Sequence, residues 1–338
     1  MNAKNETVLA STTDTGSTGI YQLKRIWSKA MAGTSASDLY AKEWELDNAL
    51  MNILGLGLLP TFRFLYEQQP GFEAFEQWVT EQCGGSISAE TKERCNALVD
   101  KTIVTGATDI ADTLTAEDIA FWEEQGYVII RNAVSKEDCT AARKAIMEWL
   151  GMDEADSKTW YRNNPEMQGI MVLLYREAAI DKNRNAVRIR RAFEQLWNKT
   201  GLAVTTDKCG FNPPETDEFK YRGIGLHWDV SLATPIPFGT QGILYLTDTA
   251  AHQGALTVVP GFHKHIEDWL ASLPAGTNPR ETDFSVFGPK PIAANAGDFI
   301  IWDHKLPHGS SPNRAHSPRI VQYINWFDPL QKTNEQWI

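Results

Sequence analysis

The sequence predicts an α+β protein with a mainly β core, a sandwich or barrel, preceded by helices. Three observations carry that prediction. After about residue 203, short β-type runs alternate with Gly-, Pro- and Asn-rich turns, at 243–247, 255–259, 299–302 and 320–326. Between residues 115 and 151 the order is capped helix, short apolar strand, capped helix. Between residues 20 and 103 apolar side chains recur at helical spacing.

In chain order, residues 1–19 are rich in Ser, Thr, Gly and Asn, which predicts a flexible tail. A helical extension over 20–103 follows. Tyr40, Trp44, Leu50 and Ile53 suggest one buried stripe. After Pro70, residues Phe72, Phe75, Trp78 and Val79 suggest another, stopped by Gly84-Gly85. The extension shows no metal constellation and no phosphate loop. It reads as a cap or docking segment, and leaves room for an oligomer contact.

Residues 104–338 are expected to form a second domain, with its β core over about 203–327. Thr115-Ala-Glu-Asp118 is a capping box with Asp in the place of Glu or Gln, and Gly126 stops the helix behind it. Tyr127-Val-Ile-Ile130 is a strand. Ser135 caps the next helix, with Cys139, Ala142, Ile146 and Trp149 expected on its inner face and Gly151 after its end. Residues 271–290 read as a long loop of the kind that covers a site.

Composition bounds the function. Of 338 residues, 42% are apolar and 22% charged, which excludes wholesale disorder. Lys plus Arg number 32 against 43 Asp plus Glu, a net charge of −11, which argues against nucleic acid or an anionic membrane as partner. No signal-peptide core opens the chain, and the longest apolar run, 53–59, is far too short for a bilayer, so a cytoplasmic location is expected. Cys83, Cys95, Cys139 and Cys209 form no C-x-x-C pair and are expected to be reduced thiols. Cys83 and Cys95 could bridge only in an oxidising compartment.

Chemistry concentrates in Leu226-His227-Trp228-Asp229. On a strand, His227 and Asp229 would face one side and Trp228 the other. One imidazole and one carboxylate are two thirds of a facial triad, and a second His would complete an Fe(II) face with three open positions. His308 is the candidate, with His304 a competitor four residues before it. Eleven residues beyond His308, Arg319 opens a strand that puts Val321, Tyr323 and Asn325 on its own face. A guanidinium there suits a bidentate pair with the far carboxylate of a chelating dicarboxylate. Asn212, Tyr221 and Arg222, just ahead of the ligand segment, are candidate substrate contacts, as are Arg162, Gln168 and Arg176 from before the β core. His263 and His265 beside Pro260-Gly261 are weaker candidates for the site.

These ordered motifs resemble the phytanoyl-CoA dioxygenase-like family of Fe(II)/2-oxoglutarate oxygenases, over roughly residues 115–327. The matching stretches are Phe121-Trp-Glu-Glu-Gln-Gly-Tyr-Val-Ile-Ile130, Gly225-Leu-His227-Trp-Asp229, Gly254-Ala-Leu-Thr-Val-Val-Pro-Gly-Phe-His-Lys264, Gly297-Asp-Phe-Ile-Ile-Trp302, His308-Gly-Ser310 and Arg319. Phe262 departs from the family's usual Pro-Gly-Ser-His. The resemblance implies a double-stranded β-helix, a jelly-roll related to the cupins. It implies His227, Asp229 and His308 as catalytic iron ligands. Arg319 and Ser310 would hold the distal carboxylate of 2-oxoglutarate, and Tyr245 would be an aromatic contact to the cosubstrate. Cofactors would be Fe(II), 2-oxoglutarate and dioxygen.

The same resemblance implies hydroxylation as the default, because Asp229 is present where related halogenases lack the carboxylate. Desaturation or cyclisation would use the same cofactors. The substrate would be a small metabolite, free or carrier-bound: an amino acid, a natural-product intermediate or an acyl thioester. A cupin-like metal enzyme without 2-oxoglutarate would not need Arg319. A non-catalytic ligand-binding jelly-roll would be expected to lack a metal ligand, and all three are present.

Overall fold

The computed structural model describes residues 9–33, 37–102, 111–334 and 336–338. The first eight residues of the expected tail and the expected boundary at 103/104 lie outside these. The chain divides into two compact units. The first comprises Met1–Thr108, Thr200–Thr206 and Phe327–Glu335, and the second Asp109–Lys199, Asp207–Trp326 and Gln336–Ile338.

The first unit is built on α1 (Leu23–Ala32), α2 (Ser37–Ile53), α3 (Leu58–Gln68), α4 (Phe72–Gln82) and α5 (Ala89–Val99). Leu23, Ile26, Leu50, Met51, Leu65, Phe75 and Val79 form its core. Trp44, expected on the buried stripe, is 38% exposed, while Asp47, Leu50, Met51 and Leu54 are buried. Asp47 can take that inward position because Lys29 meets it: the fully buried ammonium also reaches Glu43 at 2.8 Å, and Arg25 forks onto Glu43. The apolar run 53–59 breaks at Gly55, whose φ of +68° turns the chain between α2 and α3. Ser17 and Thr18 point backbone and hydroxyl donors at the Glu76 carboxylate. No single helix among the described residues is long and apolar enough to cross a membrane.

The second unit opens as its caps dictate. Thr115 and Asp118 close a reciprocal capping box on α6 (Ala116–Gln125), and Gly126 ends it at φ +76°. Strand β1 (Tyr127–Ile130) and α7 (Lys136–Leu150) follow, the latter capped by Ser135. Trp149 is 46% exposed; at about 100° per residue it falls off the stripe of Cys139, Ala142, Ile146 and Leu150. After β2 (Met167–Gln168), β3 (Met171–Val172), α8 (Ala178–Arg184) and α9 (Val187–Trp197), the remaining strands are β4 (Cys209–Asn212), β5 (Thr240–Tyr245), β6 (Leu256–Val258), β7 (Lys290–Pro291), β8 (Phe299–Asp303), β9 (His308–Ser310) and β10 (Arg319–Tyr323).

A seven-stranded sheet has the order β1-β8-β5-β10-β4-β3-β2 and a three-stranded sheet the order β9-β6-β7, with antiparallel pairing throughout these ladders. Ile243, Tyr245, Ile300, Trp302 and Val321 of the large sheet pack with Leu256 and Val258 of the small one. The core therefore lies between two sheet faces, as expected for inward-pointing alternate residues. The 271–290 stretch begins in α10 (Ile266–Ser272) and carries two short helical turns, Pro279–Glu281 and Phe284–Phe287. None of Cys83, Cys95, Cys139 and Cys209 is in a disulfide.

Candidate active site

His227 does not sit on an extended strand. A single antiparallel bridge holds it against His308, with reciprocal backbone hydrogen bonds of 2.9 and 3.0 Å. Gly309 explains how that segment comes so close to β9. A Cβ there would lie 2.6 Å from the Gly225 carbonyl oxygen, so a side chain would push the 224–225 backbone away.

The bridge gathers the three expected ligands. One ligating atom each from His227, Asp229 and His308 lies within 4.8 Å of the other two, and they form the only such group of three or more among the described residues. His227 Nε2 is 3.5 Å from Asp229 Oδ1, and His308 Nε2 is 3.2 Å from Oδ2. The other ring nitrogens face backbone carbonyls: Nδ1 of His227 lies 2.7 Å from Gly225 O, and Nδ1 of His308 lies 3.1 Å from Leu306 O. A carbonyl only accepts, so each Nδ1 carries the hydrogen and each Nε2 is left to bind a metal. Burial works to raise the Asp229 carboxyl, but the facing imidazoles of His227 and His308, with the Gln241 amide, outweigh it and hold the group far below the usual range.

His304 is turned away. Its Nε2 lies 2.7 Å from the Pro237 carbonyl, and burial pushes its imidazole down to about 4. His263 meets the Glu123 carbonyl instead of the site, and His265 lies outside the metal-competent group.

Arg319 is fully buried. Its Nη2 donates to Ser310 Oγ at 3.0 Å, whereas Nε and Nη1 have no acceptor among the described residues. Ser310 and His308 share β9 at i and i+2, so the serine that meets Arg319 and the candidate metal-binding histidine lie along one strand face. A desolvated guanidinium with two open donors fits a carboxylate. Tyr245 pairs with Val321 two residues along from Arg319, but its hydroxyl is engaged by the Ile292 carbonyl and the Leu256 amide. Burial raises that phenol to about 12, against the pull of Arg319.

The expected substrate contacts are mostly engaged by the chain itself. Asn212 pairs with Arg319 in register and gives its amide to Ser311 O. Tyr221 donates to Ser310 O at 2.8 Å, which braces the serine from outside. Exposed Arg222 lies over the Phe219 ring, and Arg176 meets Asp181. Trp228, opposite the ligands, packs with Phe262, Trp269 and Phe284. Phe262 therefore gives the 284–287 turn an aromatic surface to rest on.

Two residues at the site went unsuspected. Gln241 donates to Asp229 Oδ2 at 2.8 Å and accepts from Trp302 Nε1 at 3.1 Å. A lone glutamine in the apolar strand Thr-Gln-Gly-Ile-Leu-Tyr was the available signal. Arg280, from the 271–290 stretch, bonds the carbonyls on both sides of Asp229, and nothing in the local sequence marks it.

The chain is similar to curated proteins. A putative phytanoyl-CoA dioxygenase of Dictyostelium discoideum is 25% identical over 258 residues, covering 61% of this chain and 74% of that protein. An ectoine dioxygenase of Bordetella bronchiseptica is 20% identical, covering 70% and 83%. Among solved structures, AviO1 from Streptomyces viridochromogenes Tue57 aligns with a TM-score of 0.47 at 16% identity, covering 67% of this chain and all of that one. Residues 122–321 match the family model for phytanoyl-CoA dioxygenase. That stretch is more than half of the chain and runs from α6 into the strand of Arg319, so the chain belongs to the phytanoyl-CoA dioxygenase family.

Proposed function

We propose that the chain is a non-haem Fe(II)- and 2-oxoglutarate-dependent oxygenase that hydroxylates an unactivated C–H of a small metabolite. The observation that carries this reading is Arg319, fully buried beside the strand of His308 with two guanidinium nitrogens open. An unpaired charge in that position is costly unless an anion meets it. A planar guanidinium takes a carboxylate through two parallel bonds.

In this reading His227, Asp229 and His308 hold the metal. Two neutral imidazoles and one carboxylate leave a net positive centre, which favours an anionic chelator. Arg319 and Ser310 take the distal carboxylate. Tyr245 offers its ring face rather than its hydroxyl. Iron, 2-oxoglutarate and dioxygen together supply an oxidant able to remove hydrogen from carbon, with release of succinate and carbon dioxide. The chain's own work is positional. Gln241 and the two backbone carbonyls fix the ligand atoms, and the aromatic wall behind Trp228 keeps water from that side.

The two facing sheets support a double-stranded β-helix of the jelly-roll type, and residues 104–338 are read as the catalytic domain with 20–103 as an added helical extension. The ectoine dioxygenases among the relatives support a small-molecule substrate. Desaturation and cyclisation share the same cofactors and are separated by product analysis.

The test is an anaerobic titration of metal-free protein with Fe(II) and then 2-oxoglutarate. The expected result is a weak visible charge-transfer band that needs both and disappears in His308→Ala. Absence of the band, with no binding of 2-oxoglutarate, would reject the reading.

A further inference from the structure

Asp229 lies on a stretch without regular structure, 57% exposed at its side chain, two residues past the single backbone bridge at His227. Something must hold its backbone. The Arg280 guanidinium does so from the far side of the chain segment. Its Nη1 donates to Trp228 O at 2.8 Å and its Nη2 to Val230 O at 2.7 Å, the carbonyls of the residues immediately before and after Asp229.

The same guanidinium is itself held. Nη2 and Nε also reach the main-chain oxygen of Ile338, at 2.7 and 3.2 Å, and the group lies over the Trp337 ring at 5.0 Å. The 336–338 segment is tied to the ligand loop a second time. Ser231 Oγ donates to Gln336 O at 2.6 Å, Ile338 N lies 3.3 Å from Ser231 Oγ, and Leu232 N donates to Ile338 O.

We infer that Arg280 is a positioning residue for the Asp229 metal ligand, and that Gln336–Ile338 is a strap that locks it in place. The inference rests on Asp229 being a ligand, as proposed above. A guanidinium can span two carbonyls because its donors form a rigid planar fork. The carbonyls of the residues on either side of the ligand residue are thereby fixed, so the carboxylate is presented at one angle instead of sweeping over several. Loss of such outer support costs metal sites about 10–100-fold in affinity.

The test uses the full chain and Co(II) as a spectroscopic probe, titrated anaerobically and without turnover. Arg280→Met and deletion of residues 336–338 should each weaken Co(II) binding by about tenfold or more. The ligand-field bands should broaden or shift, as a loosened carboxylate samples several geometries. Arg280→Lys should recover little, because an ammonium cannot bridge both carbonyls in one plane. Trp337→Ala keeps every hydrogen bond and reads the ring alone, with an expected smaller loss; it serves as the measurement if Arg280→Met fails to fold. Wild-type affinity and unchanged bands in the folded Arg280→Met and deletion variants would overturn the inference. Asp229→Ala separates the two levels: if it too binds Co(II) as the wild type does, the ligand assignment has failed, not only the strap.

Discussion

Gln241 links Trp302 to Asp229: it accepts the indole N–H through Oε1 and donates its amide to the carboxylate oxygen nearer His308. The indole fixes which end of the amide points where, because Trp Nε1 only donates. The Nε2 end is then forced toward Asp229. Gln241→Leu removes both bonds at nearly constant volume. It should weaken metal binding by about 10–100-fold while leaving the sheet register intact. Metal titration with circular dichroism as a fold control checks this; undiminished affinity in a folded variant would contradict the role.

Arg319 sets a trade between stability and function. With two nitrogens open in the interior, it costs the ligand-free chain free energy that an apolar side chain would not. Arg319→Met is expected to melt at or above the wild-type temperature without ligands. The wild type should gain stability from Fe(II) plus 2-oxoglutarate, by about 2.7 kcal/mol at a hundred times Kd, and the variant should gain far less. Melting curves with and without 2-oxoglutarate at fixed metal report it. An equal ligand-induced shift in both proteins would remove Arg319 from the cosubstrate site.

How much of this was legible in the sequence depended on whether a signal was local. The Thr115–Asp118 box, Ser135 and the stops at Gly126 and Gly151 act within a few residues, and the helices they bound lie where the pattern put them. His227, Asp229, His308 and Arg319 stood out because their order and residue types fit a metal and an anion. The strand expected at His227 is a lone bridge, since its partner is one residue of a distant strand and not a ladder. Trp44 and Trp149 were misplaced because a large apolar side chain near a stripe reads as part of it, and small angular errors decide its exposure. Gln241 and Arg280 act through tertiary contacts between residues 12 and 50–52 positions apart, which no local pattern encodes.

Gly309 is the position where backbone approach alone determines the site. A methyl group would meet the Gly225 carbonyl oxygen at 2.6 Å and the Gly225 carbonyl carbon at 3.0 Å. Both contacts are to backbone, which cannot rotate aside. Gly309→Ala should cost about 1–3 kcal/mol in stability and separate His227 from His308. Metal affinity should fall much further than that of a surface Gly→Ala control such as Gly71, whose added Cβ would meet nothing within 4 Å. Parallel metal titrations of the two variants check it. Equal affinities would mean that the 224–225 segment yields without disturbing the histidines.

Asp303 gives a pH dependence that is separate from the metal. It closes β8 with 6% exposure, and burial raises its carboxyl to about 6, against the pull of the Lys305 amide and ammonium. The unfolded chain ionises this group near 3.8, so between those two values the folded form binds more protons. Stability from this group is therefore present at low pH, falls as pH rises toward about 6, and stays lost above it. Asp303→Asn keeps an oxygen for the Lys305 N–H but carries no charge to desolvate. Above neutrality the variant should be the more stable by up to about 3 kcal/mol, since each tenfold change in proton affinity between the folded and unfolded chain is worth about 1.4 kcal/mol. The advantage should shrink to nothing as pH falls toward 4. Thermal midpoints of both proteins between pH 4 and 8 measure the difference, and a difference that does not change with pH would show that Asp303 ionises as an ordinary carboxylate.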